Sequence, residues 1–327
     1  MKIKKGLQIF VALAISALGL YLALQGVSFQ DIGTALQNAR WGWVLLAIPC
    51  VGVSFLLRAY RWRLLLNNEL SVGNAFGLIC IGYLVSDILP LRLGDPARAV
   101  AASLRSKVST IAALSTVVIE RTLDLLTAVL FLVITLPFIA VGDSAAAGLV
   151  SGGAALVLLI ALILMASYPE RTEELARAIL TRLPLGDPER WLHPLRDILQ
   201  GLQALRTPQK GIALGLFSLG IWGAVILYYI VLQQALLYGA LPKPILLAAL
   251  VTTWATALGM AVPSQGGIGG YHAAAKWALT LFGIVDALAA TYALLAHIIS
   301  YLLGVILGAS ALMMWGISLK EITTPKA

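Results

Sequence analysis

The chain has 327 residues, of which 60% are hydrophobic and 12% are charged, and its formal net charge is +8. Together with a mean hydropathy of +0.92, this composition excludes an ordinary water-soluble domain. The basic residues are not gathered into a patch interleaved with exposed aromatic side chains, so the positive charge does not indicate a nucleic-acid-binding protein.

Apolar segments of about the length that crosses a bilayer recur along the whole chain. A spanning helix needs about 20 mostly apolar residues. Such segments are found at 7–24, 43–57, 111–139, 148–166, 211–237, 245–262 and 287–315. The sequence therefore predicts a single all-α integral membrane domain over 1–327 with about 6–8 transmembrane helices.

Basic residues indicate the orientation of these helices. The lysines at 2, 4 and 5 and the clusters at 58–63, 105–107, 171–210 and 320–326 fall on one predicted side, and only Arg40 and Lys243 fall in predicted outer loops. The positive-inside rule then places both termini in the cytoplasm of a bacterium, with the protein in the inner membrane. The lysine-rich start also fits a signal peptide, but its apolar run is too long and no small-residue cleavage site follows, so we expect a retained helix.

The first break in the spanning pattern lies at 76–104, where a short apolar segment runs into a Pro/Gly turn and a short helix. Gly94, Asp95 and Pro96 predict the start of that helix. Arg92 precedes its N-terminus and Arg98 follows within the first turn, an arrangement that suits phosphate binding. The alternative is that Asp95 only caps its helix while both arginines reach lipid headgroups.

The third long span carries three ionisable residues, Glu120, Arg121 and Asp124. Each charge near the bilayer centre costs on the order of 2.5–3.5 kcal/mol on insertion scales. We therefore expect these side chains to face the protein interior. They predict either an anion site or proton relay, or a self-neutralising cluster that holds helices together.

A polar stretch at 168–210 is predicted to be a cytoplasmic amphipathic loop. Its second half places Trp191 and several leucines up to Leu205 on one helical face, as expected for a helix that lies on the membrane surface. A helix that merely links the two halves, 1–139 and 211–327, fits the same pattern.

The second break lies at 260–283 and contains Gly266, Gly267 and Gly269, followed by His272 and Lys276. Glycines let backbone amides approach a ligand, although helix packing also explains many membrane glycines. His272 is a candidate for titration near neutral pH or for a structural hydrogen bond.

Both breaks predict re-entrant helical hairpins. Irregular backbone at membrane depth survives only where it is buried in protein or lines a wet cavity. Their corresponding positions in the two halves favour an inverted internal repeat with a binding site between the breaks.

Three motifs in this order resemble the flippase-like transmembrane domain of lysylphosphatidylglycerol synthases. They are Leu89-Pro90-x-Arg92-x-Gly94-Asp95-x-x-Arg98, Glu120-Arg121-x-x-Asp124 and Pro263-x-x-Gly266-Gly267-Ile268-Gly269. The resemblance covers almost the whole chain and implies binding or translocation of a lipid headgroup. Bifunctional members carry a soluble aminoacyltransferase domain after the membrane part. This sequence stops at Ala327, so we expect that it does not make aminoacyl lipid by itself.

Two positions depart from the family pattern. The family often has a second proline where Gln265 stands and a glutamate where His272 stands. Loss of that carboxylate favours an anionic headgroup, as in a phospholipid, polyprenyl phosphate or glycolipid, over a cationic aminoacyl headgroup.

The resulting hypothesis is a transporter in which Arg92, Arg98 and Lys276 hold a lipid phosphate while Glu120, Arg121 and Asp124 form a gate. The alternatives are an integral-membrane lipid or glycosyl transferase and an accessory subunit of a lipid-modifying enzyme. The sequence contains no catalytic motif or metal-ligand cluster that we can assign, so we expect no enzyme activity and no cofactor. The expected partner is an anionic membrane lipid, and the sequence leaves homo-oligomerisation open.

Overall fold

The structure, a computed structural model, describes residues 2–89, 93–139, 157, 168–182, 187–189, 192, 195–196, 208–262 and 264–323. The helices with described bounds are α1 Lys2–Leu24, α2 Phe29–Gln37, α3 Trp41–Leu65, α4 Val72–Ile88, α5 Gly94–Arg105, α6 Thr110–Ile139, α7 Pro169–Leu180, α8 Pro208–Leu236, α9 Ile245–Ala261, α10 Gly270–Thr280, α11 Asp286–Trp315 and α12 Leu319–Thr323. The prediction of an all-α membrane protein is confirmed.

Within the described ranges, four helices are long and apolar enough to cross a membrane, namely α3, α6, α8 and α11. A fifth span results if α1 and α2, which meet at a bend of 69°, cross as one unit. The apolar helices α4 and α9 have 17 residues each and extend about 26 Å at 1.5 Å per residue, less than the roughly 30 Å of a hydrocarbon core. Apart from Val157, the predicted span at 148–166 lies outside the described residues.

The chain divides into two compact units, Met1–Ala113 with Leu219–Ala327, and Leu114–Ser218. In the first unit, α4 and α5 pack against each other as a hairpin, and so do α9 and α10. These hairpins correspond to the predicted breaks at 76–104 and 260–283. The second hairpin begins earlier than predicted, because the apolar run from Ile245 is its first arm rather than a separate span.

Each hairpin is closed by a pair of glycines. A Cβ atom added to Gly94 of α5 would overlap the carbonyl oxygen of Gly82 in α4. A Cβ atom added to Gly270 of α10 would overlap the carbonyl oxygen of Gly259 in α9. Small residues allow helix backbones to approach this closely, so both hairpins depend on the absence of a side chain at these contacts.

The tips of the two hairpins meet. The side-chain amide of Gln265 donates a hydrogen bond from Nε2 to the carbonyl oxygen of Ile88 at 2.5 Å. A Cβ atom added to Gly266 would lie 2.9 Å from the carbonyl oxygen of Asp87. Tyr301 of α11 donates its hydroxyl hydrogen to that same Asp87 oxygen at 3.4 Å. The end of α4 is therefore held against the second tip and against α11.

Helix α1 packs on the tip of the second hairpin. Ser16 Oγ accepts a hydrogen bond from the backbone N–H of Gln265 at 2.9 Å. A Cβ atom added to Gly19 would lie 2.7 Å from the carbonyl carbon of Gly269. Helix α1 is thus part of the packed first unit.

In the second unit, a surface cluster of charges joins α7 to the residues that follow it. Arg196 forms ion pairs with Glu173 at 2.6 Å and with Glu189 at 3.0 Å, and Arg177 reaches both carboxylates. Hydrogen bonds from Arg196 lower the pKa of Glu173 most, and hydrogen bonds from Arg177 lower the pKa of Glu189 most. Trp191 and most of the predicted amphipathic face lie outside the described residues.

We expect acid to loosen this cluster. Because the folded-state pKa of both carboxylates is depressed, their contribution to stability is present above the ordinary value of 4.5 and is lost as the pH falls through the lowered folded values. Hydrogen exchange of the α7 amides, corrected for the intrinsic pH dependence, should accelerate below about pH 4. Arg196→Gln should accelerate it already at pH 7, whereas Arg182→Gln should not. Equal protection in both variants would contradict the role of Arg196.

Candidate functional site

A cavity of about 180 Å³ lies at the place where the hairpin tips meet. We call it the hairpin cavity. Its described lining residues, all in the first unit, are Phe55, Arg58, Tyr83, Asp87, Trp222, Val225, Tyr229, Thr253, Thr256, Ala257, Met260, Tyr271, His297, Ser300 and Tyr301. The volume is below the roughly 300 Å³ of the smallest typical ligand pockets. It therefore suits a small polar group, such as a phosphate, rather than a whole large ligand.

Two side chains of opposite charge line this cavity. Asp87, in the last turn of α4, is 9% exposed, and the described residues form no hydrogen bond or ion pair with its carboxylate. Arg58 of α3 is half-buried, with its guanidinium carbon 6.0 Å from the centre of the Trp222 ring. Burial of a carboxylate is costly without a partner. A ligand that donates a hydrogen bond to Asp87 would therefore be stabilised in this cavity.

A network of tyrosines holds the part of the cavity wall that contains Tyr229 and Tyr271. Tyr229 of α8 shares hydrogen bonds with Thr256 Oγ1 at 2.9 Å and with the Tyr271 hydroxyl at 3.1 Å. Tyr292 donates to the carbonyl oxygen of Tyr229 at 2.9 Å, and Tyr228 donates to that of Ala296 at 2.5 Å. This network connects α8, α9, α10 and α11, so the wall is held by directional contacts as well as by apolar packing.

One histidine, His297, lines the cavity, and a second, His272, lies behind it. His272 Nδ1 accepts a hydrogen bond from the backbone N–H of Gly269 at 3.2 Å. His272 Nε2 lies 3.3 Å from His297 Nδ1. The His297 ring stacks on Tyr271 at 4.7 Å and meets Tyr301 edge-on at 6.0 Å. His297 thus faces the cavity, while His272 connects it to the turn of the second hairpin.

The glycines of the second tip adopt backbone conformations that other residues rarely adopt. Gly266, Gly267 and Gly269 have φ values of 55°, 76° and 90°. They bend the chain between α9 and α10 and bring its backbone against Asp87 and α1. Their observed role is to form the tip.

The first predicted phosphate site is only partly described. Arg92 lies outside the described residues. Asp95 and Arg98 are paired, with Arg98 Nη2 3.4 Å from Asp95 Oδ1. Arg98 is buried at 3% exposure, and its guanidinium carbon lies 4.4 Å from the centre of the Trp62 ring, a cation–π contact. Neither Asp95 nor Arg98 belongs to the described lining of the hairpin cavity.

The Lys276 side chain contacts the end of α1 and the start of α11. Its Nζ donates to the carbonyl oxygen of Gln25 at 3.0 Å and lies 2.8 Å from Asp286 Oδ2. Asp286 is largely exposed, so this pair contributes at most about 1 kcal/mol. The structure places Lys276 in a contact between the end of α1, α10 and the start of α11, and not in the described lining of the hairpin cavity.

The charged residues of α6 belong to the second unit. Glu120 is buried at 3% exposure. Arg121 lies 3.7 Å from Asp124 in an ion pair within the helix, and its side chain is 56% exposed. Burial of Glu120 agrees with the expectation that the charged face of α6 turns inward, whereas Arg121 is exposed.

Sequence reasoning did not select Arg58 or Asp87 as site residues. Arg58 belongs to a basic cluster that predicts only the cytoplasmic end of a helix. The sequence does contain a signal for Asp87, because it is the one carboxylate in the mostly apolar segment 72–88, which ends shortly before a proline. The histidine pair was not predictable, because its members lie on different helices.

The chain matches the family described as "Lysylphosphatidylglycerol synthase TM region" over residues 9–308. A comparison with curated proteins gave no significant match. The matched range contains both hairpins and every described residue that lines the hairpin cavity. The chain is a multi-pass, lipid-related membrane protein that belongs to the family of the lysylphosphatidylglycerol synthase transmembrane region.

Proposed function

We propose that this protein transports an anionic lipid across a bacterial inner membrane and that the hairpin cavity receives the lipid headgroup. The observation that carries the proposal is that the half-buried Arg58 and the buried Asp87 line one cavity at the meeting point of two hairpins. Ionisable groups inside a membrane protein are costly and mark substrate pathways by default.

Arg58 supplies the charge for a phosphate. A guanidinium group matches phosphate oxygens with paired N–H donors. Tyr83 also lines the cavity, and a tyrosine hydroxyl group can donate a further hydrogen bond to a phosphate. A cavity of about 180 Å³ accommodates the headgroup, while the acyl chains remain in the surrounding lipid.

Asp87 gives the site selectivity. A buried carboxylate accepts hydrogen bonds from hydroxyl or ammonium groups, so it favours a headgroup that carries such a donor next to its phosphate. Phosphatidylglycerol and phosphate-linked sugars meet this condition. A bare phosphate monoester lacks the donor and would place more negative charge against Asp87.

Separation of the hairpin tips would give the headgroup a route in and out. Between the described residues of the two tips, the Gln265 side-chain amide donates a hydrogen bond to the carbonyl oxygen of Ile88. The glycines at 266, 267 and 269 allow the second tip to change its backbone conformation at low cost. We expect the hairpins to lie within the bilayer as re-entrant elements and to expose the cavity to each side in turn.

The proposal is tested by reconstitution into liposomes that contain acyl-labelled fluorescent phosphatidylglycerol, with dithionite added outside. We expect the protein to make the inner-leaflet probe accessible at least about tenfold faster than in protein-free liposomes, because the headgroup no longer crosses hydrocarbon alone. Fluorescent phosphatidylcholine, which has no net charge and no hydroxyl or N–H donor, should move more slowly. Rates equal to those of protein-free liposomes for lipids of every anionic class would exclude transport.

A further inference from the structure

We propose that the His272–His297 pair binds one proton and thereby couples entry of an anionic headgroup into the hairpin cavity to proton uptake. The coupling rests on the proposed function, since it requires a headgroup in the cavity. The pair lies directly behind the cavity, and His297 is part of the wall.

The hydrogen bonds define the proton positions in the neutral pair. The Gly269 backbone N–H can only donate, so His272 Nδ1 has no proton. Neutral His272 therefore carries its proton on Nε2, which points at His297 Nδ1 at 3.3 Å. His297 Nδ1 must then be the acceptor. Both nitrogens that lack a proton, one in each ring, are already engaged as acceptors.

An added proton must consequently break one of these two hydrogen bonds. On His297 Nδ1 it would face the N–H of His272, and on His272 Nδ1 it would face the N–H of Gly269. Either event disturbs the turn at Gly269 or the contact between α10 and α11. The same turn carries Gln265 and Gly266, which contact the end of α4. Protonation is thus linked mechanically to the contact between the hairpin tips.

The charge of the headgroup gives the direction of the coupling. The described ionisable groups that line the cavity with His297 are Arg58, Tyr83, Asp87, Tyr229, Tyr271 and Tyr301. A bound phosphate would place negative charge at the wall that contains His297, and a nearby negative charge favours the cationic form of an imidazole group. Lys276, one turn after His272, is already paired with Asp286.

The step involves no covalent change other than protonation. A proton from water adds to an imidazole lone pair, and the resulting cation lies next to the bound phosphate. By linkage, the headgroup favours proton uptake and the proton favours headgroup binding to the same extent. One linked proton makes the affinity for the headgroup fall by up to about tenfold for each unit of pH increase.

The test uses calorimetry of the protein in phosphatidylcholine nanodiscs, titrated with dihexanoylphosphatidylglycerol in two buffers of different ionisation enthalpy. We expect uptake of close to one proton per bound lipid near pH 6.5. His297→Gln and His272→Gln should abolish this uptake, whereas His193→Gln, which removes the third histidine of the chain, should retain it. Lipid binding without proton uptake by the wild-type protein would overturn the coupling and leave the proposed function intact. Uptake that persists in His297→Gln but vanishes in Asp87→Asn would also overturn it.

Absence of phosphatidylglycerol binding would count against the proposed function. In that case a second measurement still tests the proton site. Nitrogen-15 spectra of the imidazole groups in the wild-type protein should show both paired rings neutral near pH 7 and one of them becoming cationic between about pH 6 and pH 3, with loss of the Gly269 hydrogen bond. Two rings that stay neutral over this range would overturn the proton site.

Discussion

Alanine at Gly94 is expected to destabilise the first hairpin by about 3 kcal/mol or more, since the added methyl group would overlap the Gly82 carbonyl oxygen and Ser86 Oγ. Overpacking against side chains typically costs about 1–3 kcal/mol, and here one of the atoms belongs to a helix backbone that cannot rotate away. Size-exclusion chromatography of detergent-solubilised protein after heating measures the loss as a lower midpoint.

The matched control is Gly73→Ala in α4, where an added Cβ atom meets no atom within 4 Å. Alanine has the higher helix propensity, so this variant should keep or slightly raise the midpoint. The same comparison applies to Gly270→Ala in the second hairpin, where the overlap is with the Gly259 carbonyl oxygen. Equal midpoints for Gly73→Ala and Gly94→Ala would show that the hairpin does not need this close approach.

The second large effect is expected from Arg58→Gln, which removes the positive charge of the hairpin cavity. A hydrogen bond to a charged group contributes about 1.5–3 kcal/mol, and each 1.36 kcal/mol is a factor of about ten in rate. Movement of phosphatidylglycerol in the dithionite assay should therefore slow by at least about tenfold. Arg58→Lys should recover part of the rate, because the charge remains and the planar pair of donors is lost.

Lys107→Gln is the control for Arg58→Gln. Lys107 is exposed, so its replacement removes one positive charge without altering the cavity, and its rate should equal that of the wild-type protein. If Arg58→Gln and Lys107→Gln transport at the same rate, the role of Arg58 in headgroup binding is wrong.

The hairpins were predictable because local chemistry defines them. A short apolar helix followed by proline or glycine and a second short helix cannot be read as one continuous span. In the structure α4 ends and α5 begins within the predicted break at 76–104, and α9 ends and α10 begins within the predicted break at 260–283. The start of the second hairpin was missed because Ile245–Val262 is apolar throughout and satisfies the length criterion for a span. Composition does not reveal that its partner is the helix that follows.

The site was less predictable, because its residues come from six helices that are distant in the sequence. Arg98 and Lys276 were selected as charges close to a break, but the sequence does not show which face of a helix meets the cavity. In the structure Arg98 packs on Trp62 and Lys276 pairs with Asp286. Arg58 and Asp87 become neighbours of one cavity only through the packing of α3 and α4 against α11.

The central claim is that the hairpin cavity holds a lipid headgroup through Arg58, and native mass spectrometry of the purified protein tests it most directly. Under activation that strips loosely bound lipids, we predict that the wild-type protein keeps about one anionic lipid of a single headgroup class and that Arg58→Gln loses it. Equal lipid retention by the two proteins, or none by the wild-type protein, would contradict the claim.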